Sequence, residues 1–104
     1  MEKINIGLIG FGNVGSGVVK ILRDKRSLLS EKTGLDIEIK KICDQDISSR
    51  RNVSADKSLL TRNPKEIIDD PAIDIVVELI GGVHPAKEYI CEALRKGKHI
   101  VTAN

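Results

Sequence analysis

Six residues near the N-terminus carry the clearest chemical signal in the sequence. They form the pattern G-x-G-x-x-G: Gly10, Phe11, Gly12, Asn13, Val14 and Gly15. A loop of this spacing between a buried strand and a helix is typical of sites that bind the pyrophosphate of a dinucleotide. Gly10 would allow the tight turn, Gly12 the approach of a pyrophosphate, and Gly15 the packing of helix on strand.

The helix that follows this loop would complete an anion site. The amides of Asn13 and Val14, at the helix start, are free to point at phosphate oxygens. The alternative interpretation is a tight strand-to-helix turn without a ligand. The apolar strand pattern before the loop and the amphipathic pattern after it favour the dinucleotide interpretation.

An acidic residue follows the second predicted strand. In dinucleotide sites such an acid binds the ribose hydroxyls, so Asp44 is a candidate, although it lies farther from the loop than the usual ~20 residues. A carboxylate there would repel a 2′-phosphate and favour NAD over NADP. Arg50 and Arg51 in the next loop could instead meet a phosphate. The alternative is that Asp44 and Asp46 only cap a turn.

Two further segments end where ligands bind in open parallel sheets, beyond the carboxyl ends of the strands. Gly81 and Gly82 would let the backbone approach the ribose or nicotinamide, unless they form an ordinary turn. Thr102 and Asn104 would offer hydrogen bonds nearby. Glu78, inside an apolar run, requires a partner, which we expect to be a lysine or polypeptide beyond this chain.

These candidates require strands and helices in alternation. Apolar, β-branched runs predict strands over 4–9, 35–42, 73–80 and 99–102. Helical spacing predicts a helix from 13 to about 30, whose inner stripe would be Val14, Val18, Ile21 and Leu22. A second helix over 85–96 would bury Ala86, Ile90, Ala93 and Leu94.

A short helix between these elements begins at Asn63. Asn63 can cap it, Pro64 fits its first position, and Glu66 can return a hydrogen bond to the cap. Residues 44–62 otherwise give no clear pattern. The order β-α-β-α-β-α-β predicts an α/β fold, a Rossmann-like open parallel sheet with helices on both faces.

Composition excludes several other classes of protein. The chain has 104 residues, which suits one domain over 1–104, and its 17 basic and 15 acidic residues are too balanced to indicate nucleic-acid binding. No apolar run has membrane-spanning length. Cys43 and Cys91 have no CxxC spacing and suit apolar fillers in a reduced, cytoplasmic protein. His84 and His99 have no partners at the spacing of a metal site or catalytic triad.

Taken together, the motifs resemble the N-terminal NAD(P)-binding domain of homoserine dehydrogenases. The resemblance rests on the glycine loop with its continuation through Ser16, Gly17 and Val18, and on residues 32–37. It rests most on residues 74–82, DIVVELIGG, and on residues 97–104, GKHIVTAN. These last two segments are more specific than the glycine loop, and the resemblance covers the whole chain.

The resemblance implies an oxidoreductase that interconverts aspartate 4-semialdehyde and homoserine with NAD(P)H, in the biosynthesis of threonine, methionine and isoleucine. Phe11, Asn13 and Val14 would touch the cofactor's diphosphate and ribose, and Thr102 and Asn104 would lie near its nicotinamide. Many members carry an arginine where this chain has Gln45, which again favours NAD.

The resemblance also implies what the chain would lack. The family's catalytic lysines and its dimerising region follow the segment that ends at Asn104, so we expect a truncated, inactive fragment of a homodimer, with no catalytic residue. Two other functions stay open. One is the nucleotide domain of a different aldehyde or imine reductase, and the other is a stand-alone NAD-sensing module.

Overall fold

Five parallel strands form the centre of the molecule. A computed structural model describes residues 2–48, 55–80 and 85–103. The strands are β1 (Glu2–Ile9), β2 (Leu35–Cys43), β3 (Leu60–Thr61), β4 (Ile75–Glu78) and β5 (His99–Thr102), and they lie in the order β3-β2-β1-β4-β5. The predicted Rossmann-like parallel sheet is therefore confirmed. Because the chain turns back from β3 to β4 across β1, the carboxyl end of β1 is the switch point where such sheets bind ligands.

In the described ranges, four helices and a short 3-10 turn (Lys57–Leu59) connect the strands. The helices are α1 (Asn13–Asp24), α2 (Arg26–Thr33), α3 (Lys65–Ile68) and α4 (Ala86–Arg95). The single helix predicted over 13–30 is wrong, because the chain breaks at Lys25 and α2 continues to Thr33. Arg26 opens α2 and donates two hydrogen bonds to the Asp36 carboxylate, at 2.7 and 2.8 Å, which holds α2 against β2. No helix in the described ranges is long and apolar enough to span a membrane.

The sheet separates two apolar clusters. One lies on the side of α1 and contains Ile6, Leu8, Phe11, Val19, Ile42 and Val77. The other lies on the side of α3 and α4 and contains Ile9, Cys43, Ile67, Ile68, Ile73, Val76 and Ala93. Side chains of β1 point alternately into the two clusters, as the two-residue period of a strand requires. Both faces of the central strands are covered, as expected for a parallel sheet.

The predicted inner stripes of two helices are partly wrong. Val14 and Ile21 of α1 are 64% and 60% exposed, and Leu94 of α4 is 55% exposed. The buried residues of α1 are instead Gly15, Ser16 and Val19. Small side chains at the start of α1 let it approach the end of β1 closely, and this contact, rather than the count of apolar residues, sets the inward face.

The polar stretch 44–62 contains a strand that the sequence analysis missed. β3 pairs only Leu60 and Thr61 with Ile42 and Cys43, and two residues are too few to show a period. Asn63 caps α3 as predicted, accepting the Lys65 amide at 3.0 Å. The predicted hydrogen bond from the Glu66 side chain back to the cap residue is wrong. The Glu66 carboxylate instead accepts the Thr61 hydroxyl at 2.5 Å, and the Thr61 hydroxyl oxygen accepts the Asn63 amide.

Candidate functional site

Two glycines of the loop after β1 are required because a side chain at either position would collide with neighbouring backbone. Gly10 has a φ of +109°, and a Cβ there would lie 2.7 Å from the carbonyl carbon of Leu79. A Cβ on Gly15 would collide with the carbonyl oxygen of Gly10. The Gly10 amide also donates to the Cys43 carbonyl at 2.8 Å, which ties the loop to the end of β2. The tight turn and close helix packing predicted for these two positions are therefore present.

Gly12 differs from its two neighbours in the motif. A Cβ at Gly12 would meet no described atom within 4 Å, and its φ of −83° is open to any residue. The fold therefore gives no internal reason for glycine here, whereas a ligand lying on the backbone would. A cofactor's pyrophosphate is a ligand of the required kind, since the space that a Cβ would occupy lies at a helix N-terminus.

The start of α1 suits an anion. Its first turn contains no acidic residue, and no side chain in the described part of the protein caps it. Asn13 and Val14, whose amides are predicted to bind phosphate, are both exposed residues. The positive end of the helix dipole adds to the attraction.

Asp44 lies at the carboxyl end of β2, where its carboxylate holds the glycine loop. One carboxylate oxygen accepts the Phe11 amide at 2.7 Å, and the other accepts the Asp46 amide at 2.9 Å. The predicted turn cap is thus present, and Asp46 in turn accepts the Ser48 amide. The Phe11 ring is 2% exposed and belongs to the apolar cluster beside α1, so only its main chain reaches the site.

A second polar group lies at the ends of β4 and β5. Glu78 is 1% exposed, and its carboxylate accepts the Thr102 hydroxyl at 2.6 Å and the Ile80 amide at 2.7 Å. Among the described residues, these partners are a hydroxyl and a main-chain amide. The lysine, or the polypeptide beyond this chain, that the sequence analysis expected as a partner stays a prediction. Neighbouring strands bring these groups together, since Glu78 pairs with Thr102 in the sheet register.

Several predicted site residues lie outside the described residues. They are Gly81, Gly82 and Asn104 among the proposed cofactor contacts, together with Arg50, Arg51 and His84. The predictions made for them stay predictions.

A cleft of about 370 Å³ opens between the ends of β2 and β4, on the side of α3 and α4. Its lining combines predicted and unpredicted residues: Ile9, Gly10, Gly12, Cys43, Asp44, Gln45, Pro64, Leu79, Ile80, Pro85 and Tyr89. The sequence analysis missed Pro64, Pro85 and Tyr89 as site residues. In the sequence, the two prolines indicate only helix starts, and Tyr89 is only an apolar position within a predicted helix. This volume lies within the range of small-molecule sites.

Arg62 is a further residue near the site that the sequence analysis missed. Its Nε donates to the Gln45 carbonyl at 3.2 Å, which places a guanidinium next to the residue that follows Asp44. No motif in the sequence marks Arg62, which directly follows β3, a strand that the sequence did not predict. The structure therefore places a cation near the proposed ribose contact.

The cleft contains a thiol of low reactivity. Burial, with smaller contributions from the charges of Asp44 and Glu66, raises the pKa of Cys43 to about 11. The thiol is therefore neutral near pH 7 and a poor nucleophile. Within ranges 2–48, 55–80 and 85–103, His, Cys, Asp and Glu side chains form no group of three that could hold a metal ion.

Comparisons with known proteins point to one family. The family model described as homoserine dehydrogenase, NAD binding domain, matches residues 10–104. The chain is 46% identical over its whole length to a homoserine dehydrogenase of Bacillus subtilis, of which it covers 24%. It is 41% identical to that of Methylobacillus glycogenes, of which it covers 25%. The chain thus spans about a quarter of the length of these curated relatives.

Solved structures show the same likeness. A crystal structure of Staphylococcus aureus homoserine dehydrogenase at pH 6.0 superposes with a TM-score of 0.93 at 41% identity, covering 100% of this chain and 27% of that one. The homoserine dehydrogenase of Thiobacillus denitrificans gives a TM-score of 0.87 at 38% identity, covering 100% of this chain and 24% of that one.

Proposed function

Because this chain belongs to the family of NAD-binding domains of homoserine dehydrogenases, we propose that it is the nucleotide-binding part of such an enzyme. The family indicates NAD(P) as the cofactor. When bound, the cofactor supplies the hydride that interconverts an aldehyde and an alcohol. The proposed reaction is the interconversion of aspartate 4-semialdehyde and homoserine. The whole-chain identity to the relatives supports it.

The open Cβ position at Gly12 is the observation that carries the binding proposal. Gly10 and Gly15 are needed for the fold, but Gly12 faces no described atom. We therefore assign the pyrophosphate to the backbone of Gly12 and the amides of Asn13 and Val14, at the positive end of α1. Gly10 and Gly15 keep this backbone in place, and Phe11 contributes only its main chain.

The remaining contacts follow from the ends of the neighbouring strands. Asp44 would accept hydrogen bonds from the ribose of the adenosine half. Thr102 is proposed to lie at the nicotinamide end, where its oxygen would act as an acceptor because its proton is donated to Glu78. Gly81, Gly82 and Asn104 are proposed contacts from sequence alone. We assign no catalytic residue to this chain and expect it to bind the cofactor without turnover.

The binding proposal is tested by calorimetric titration of the chain with NADH. We expect saturable binding that falls at least tenfold, about 1.4 kcal/mol, in Gly12→Val, with the melting temperature little changed. Gly17→Val is the matched control, because a Cβ at Gly17 also meets no described atom within 4 Å. Equal affinity in the native chain and Gly12→Val would show that this glycine has no role in binding.

We further propose that NAD is preferred over NADP. A 2′-phosphate would approach the Asp44 carboxylate, and two negative charges at hydrogen-bond distance repel. Arg62 opposes this effect, because its guanidinium lies next to Gln45. Titration with NADH and NADPH at the same ionic strength measures the balance. Tighter binding of NADPH would overturn the preference, and would indicate that Arg62 or the sequence-predicted Arg50 and Arg51 meet the 2′-phosphate.

A further inference from the structure

We propose that the ring of Tyr89 forms the wall against which the adenine base of the dinucleotide packs. This assignment rests on the proposed function, since it places one half of the same cofactor. Tyr89 lines the cleft between β2 and β4, and no motif in the sequence marks it. The inference thus names a residue that determines how tightly the adenosine half is held.

The lining of the cleft identifies which half of the cofactor enters it. Asp44 and Gln45 form its polar edge, and an acid in this position meets the ribose that carries adenine. The base attached to that ribose must therefore lie within a few ångströms, in the same cleft. The nicotinamide lies at the other end of the pyrophosphate and is directed away from Asp44.

The remaining walls suit a flat apolar base. Pro64 comes from the start of α3, Ile80 from the end of β4, and Pro85 and Tyr89 from the start of α4. These four side chains carry no charge, so a phosphate has no counter-charge among them. A purine ring, by contrast, gains from contact with apolar and aromatic surface.

Tyr89 is the aromatic residue that the fold leaves available for this contact. The chain has one Tyr, one Phe and no Trp. Phe11 is 2% exposed, whereas Tyr89 is half-buried and packs partly against the cluster beside α3 and α4. Its ring is thus supported from behind while the residue still lines the cleft.

The helix that carries Tyr89 is held in place before any ligand binds. The Tyr89 amide donates to the Pro85 carbonyl at 3.2 Å. Two ion pairs fix α4 to the segment around α3, Lys65 with Glu92 and Lys96 with Asp69. A preformed wall of this kind costs little to order when the base arrives.

The single tyrosine makes the proposal measurable by proton NMR of the chain with AMP or nicotinamide mononucleotide. We expect AMP to shift the Tyr89 ring protons and to give nuclear Overhauser contacts to the adenine protons. Nicotinamide mononucleotide should produce neither effect. In Tyr89→Leu, AMP and NADH affinities should fall about tenfold, within the range of base–aromatic contacts. Tyr89→Phe, which keeps the ring, should bind within about twofold of the native chain.

The outcomes separate this inference from the binding proposal. If NADH binds and depends on Gly12 but the Tyr89 ring protons do not respond to AMP, the adenine assignment is wrong and the binding proposal stands. Equal loss of AMP and nicotinamide mononucleotide affinity in Tyr89→Leu would show a general structural role and also overturn the assignment. Absence of any NADH binding would overturn both.

Discussion

The glycine loop and the ends of β4 and β5 lie at the same edge of the sheet, but their polar groups differ in whether the protein itself supplies hydrogen-bond partners. At the loop, Gly12 leaves open space above the backbone, and the first amides of α1 have no side-chain cap in the described ranges. At β4 and β5, Glu78 is buried and accepts hydrogen bonds from Thr102 and Ile80. The glycine loop thus leaves backbone amides of α1 for a ligand, whereas the ends of β4 and β5 provide hydrogen-bond donors to the Glu78 carboxylate.

This difference separates ligand binding from support. A ligand with negative charge gains from donors that the protein itself does not use, so the loop is the region suited to phosphate. A buried carboxylate with two donors fixes two strand ends relative to each other and has less capacity left for a ligand. Four changes test this contrast, in descending order of expected effect.

The largest loss of stability is expected at Gly15, where the protein's own backbone leaves no room for a side chain. Gly15→Ala places a Cβ against the Gly10 carbonyl, which is backbone and cannot move away cheaply, so the free energy of unfolding should fall by roughly 3 kcal/mol. Gly17→Ala in the same helix has open space and should be neutral or stabilising, by up to about 1 kcal/mol. Urea unfolding of both variants measures this, and equal stabilities would remove the distinction drawn between the glycines.

The next effect concerns the internally satisfied region. Glu78→Ala leaves the Ile80 amide without its carboxylate acceptor and a void between strands, so we expect a loss of about 2 kcal/mol in urea unfolding. Thr102→Ser keeps the hydroxyl and should change stability by less than about 0.5 kcal/mol. If Glu78→Ala unfolds like the native chain, the carboxylate is not a structural support, and the contrast with the loop fails.

A smaller effect distinguishes the two roles of Asp44. Asp44→Ala removes the acceptor of the Phe11 amide and the proposed ribose contact, so NADH affinity should fall about tenfold. NADPH affinity should fall less, because the repulsion of its 2′-phosphate is removed as well. Asp46→Ala removes the turn contact to Ser48 and serves as the control. Equal losses for NADH and NADPH would mean that Asp44 only holds the loop.

The smallest effect is expected at a partly buried ion pair outside both regions, between Lys40 and Asp70. The hydrogen bond from Lys40, at 2.6 Å, and then that from the Ala72 amide lower the pKa of Asp70. A lowered carboxyl pKa contributes stability above the unfolded value of about 3.9, and this is lost as pH falls through the folded pKa.

Lys40→Met should therefore cost about 0.5 kcal/mol at pH 7, since solvent still reaches both side chains and screens the pair. It should cost almost nothing well below pH 4, where Asp70 is protonated. Urea midpoints measured from pH 7 to pH 3 test this, with Lys20→Met as an exposed control. A difference between Lys40→Met and the native chain that persists at low pH would exclude the Asp70 pair as its cause.

Local patterns were sufficient for most elements of this fold. The predicted strands 4–9, 35–42, 73–80 and 99–102 correspond to β1, β2, β4 and β5, because runs of Ile, Val and Leu bounded by glycine or turn residues are read locally. The glycine loop and the Asn63 cap could be predicted for the same reason. Each depends on residue types within a few positions of one another.

The errors occurred where a distant contact decides the outcome. β3 exists because Leu60 and Thr61 pair with β2, not because of a pattern of their own. The inward face of α1 is set by the contact of Gly15 with Gly10, so Val14 and Ile21 face outward despite their apolar character. Propensity and periodicity are local quantities, and tertiary packing overrides them.

The sequence by itself determined the alternation of strands and helices, the glycine loop and the acid after β2, because each is encoded in spacing along the chain. Only the tertiary structure decided the partners of buried charges. Lys98 is 7% exposed and donates to the Ile73 carbonyl at 2.8 Å, and Glu78 accepts from Thr102 across the sheet. The tertiary structure also placed Tyr89 and Asp44 in the lining of one cleft, because residues 45 positions apart along the chain meet only when the strands assemble.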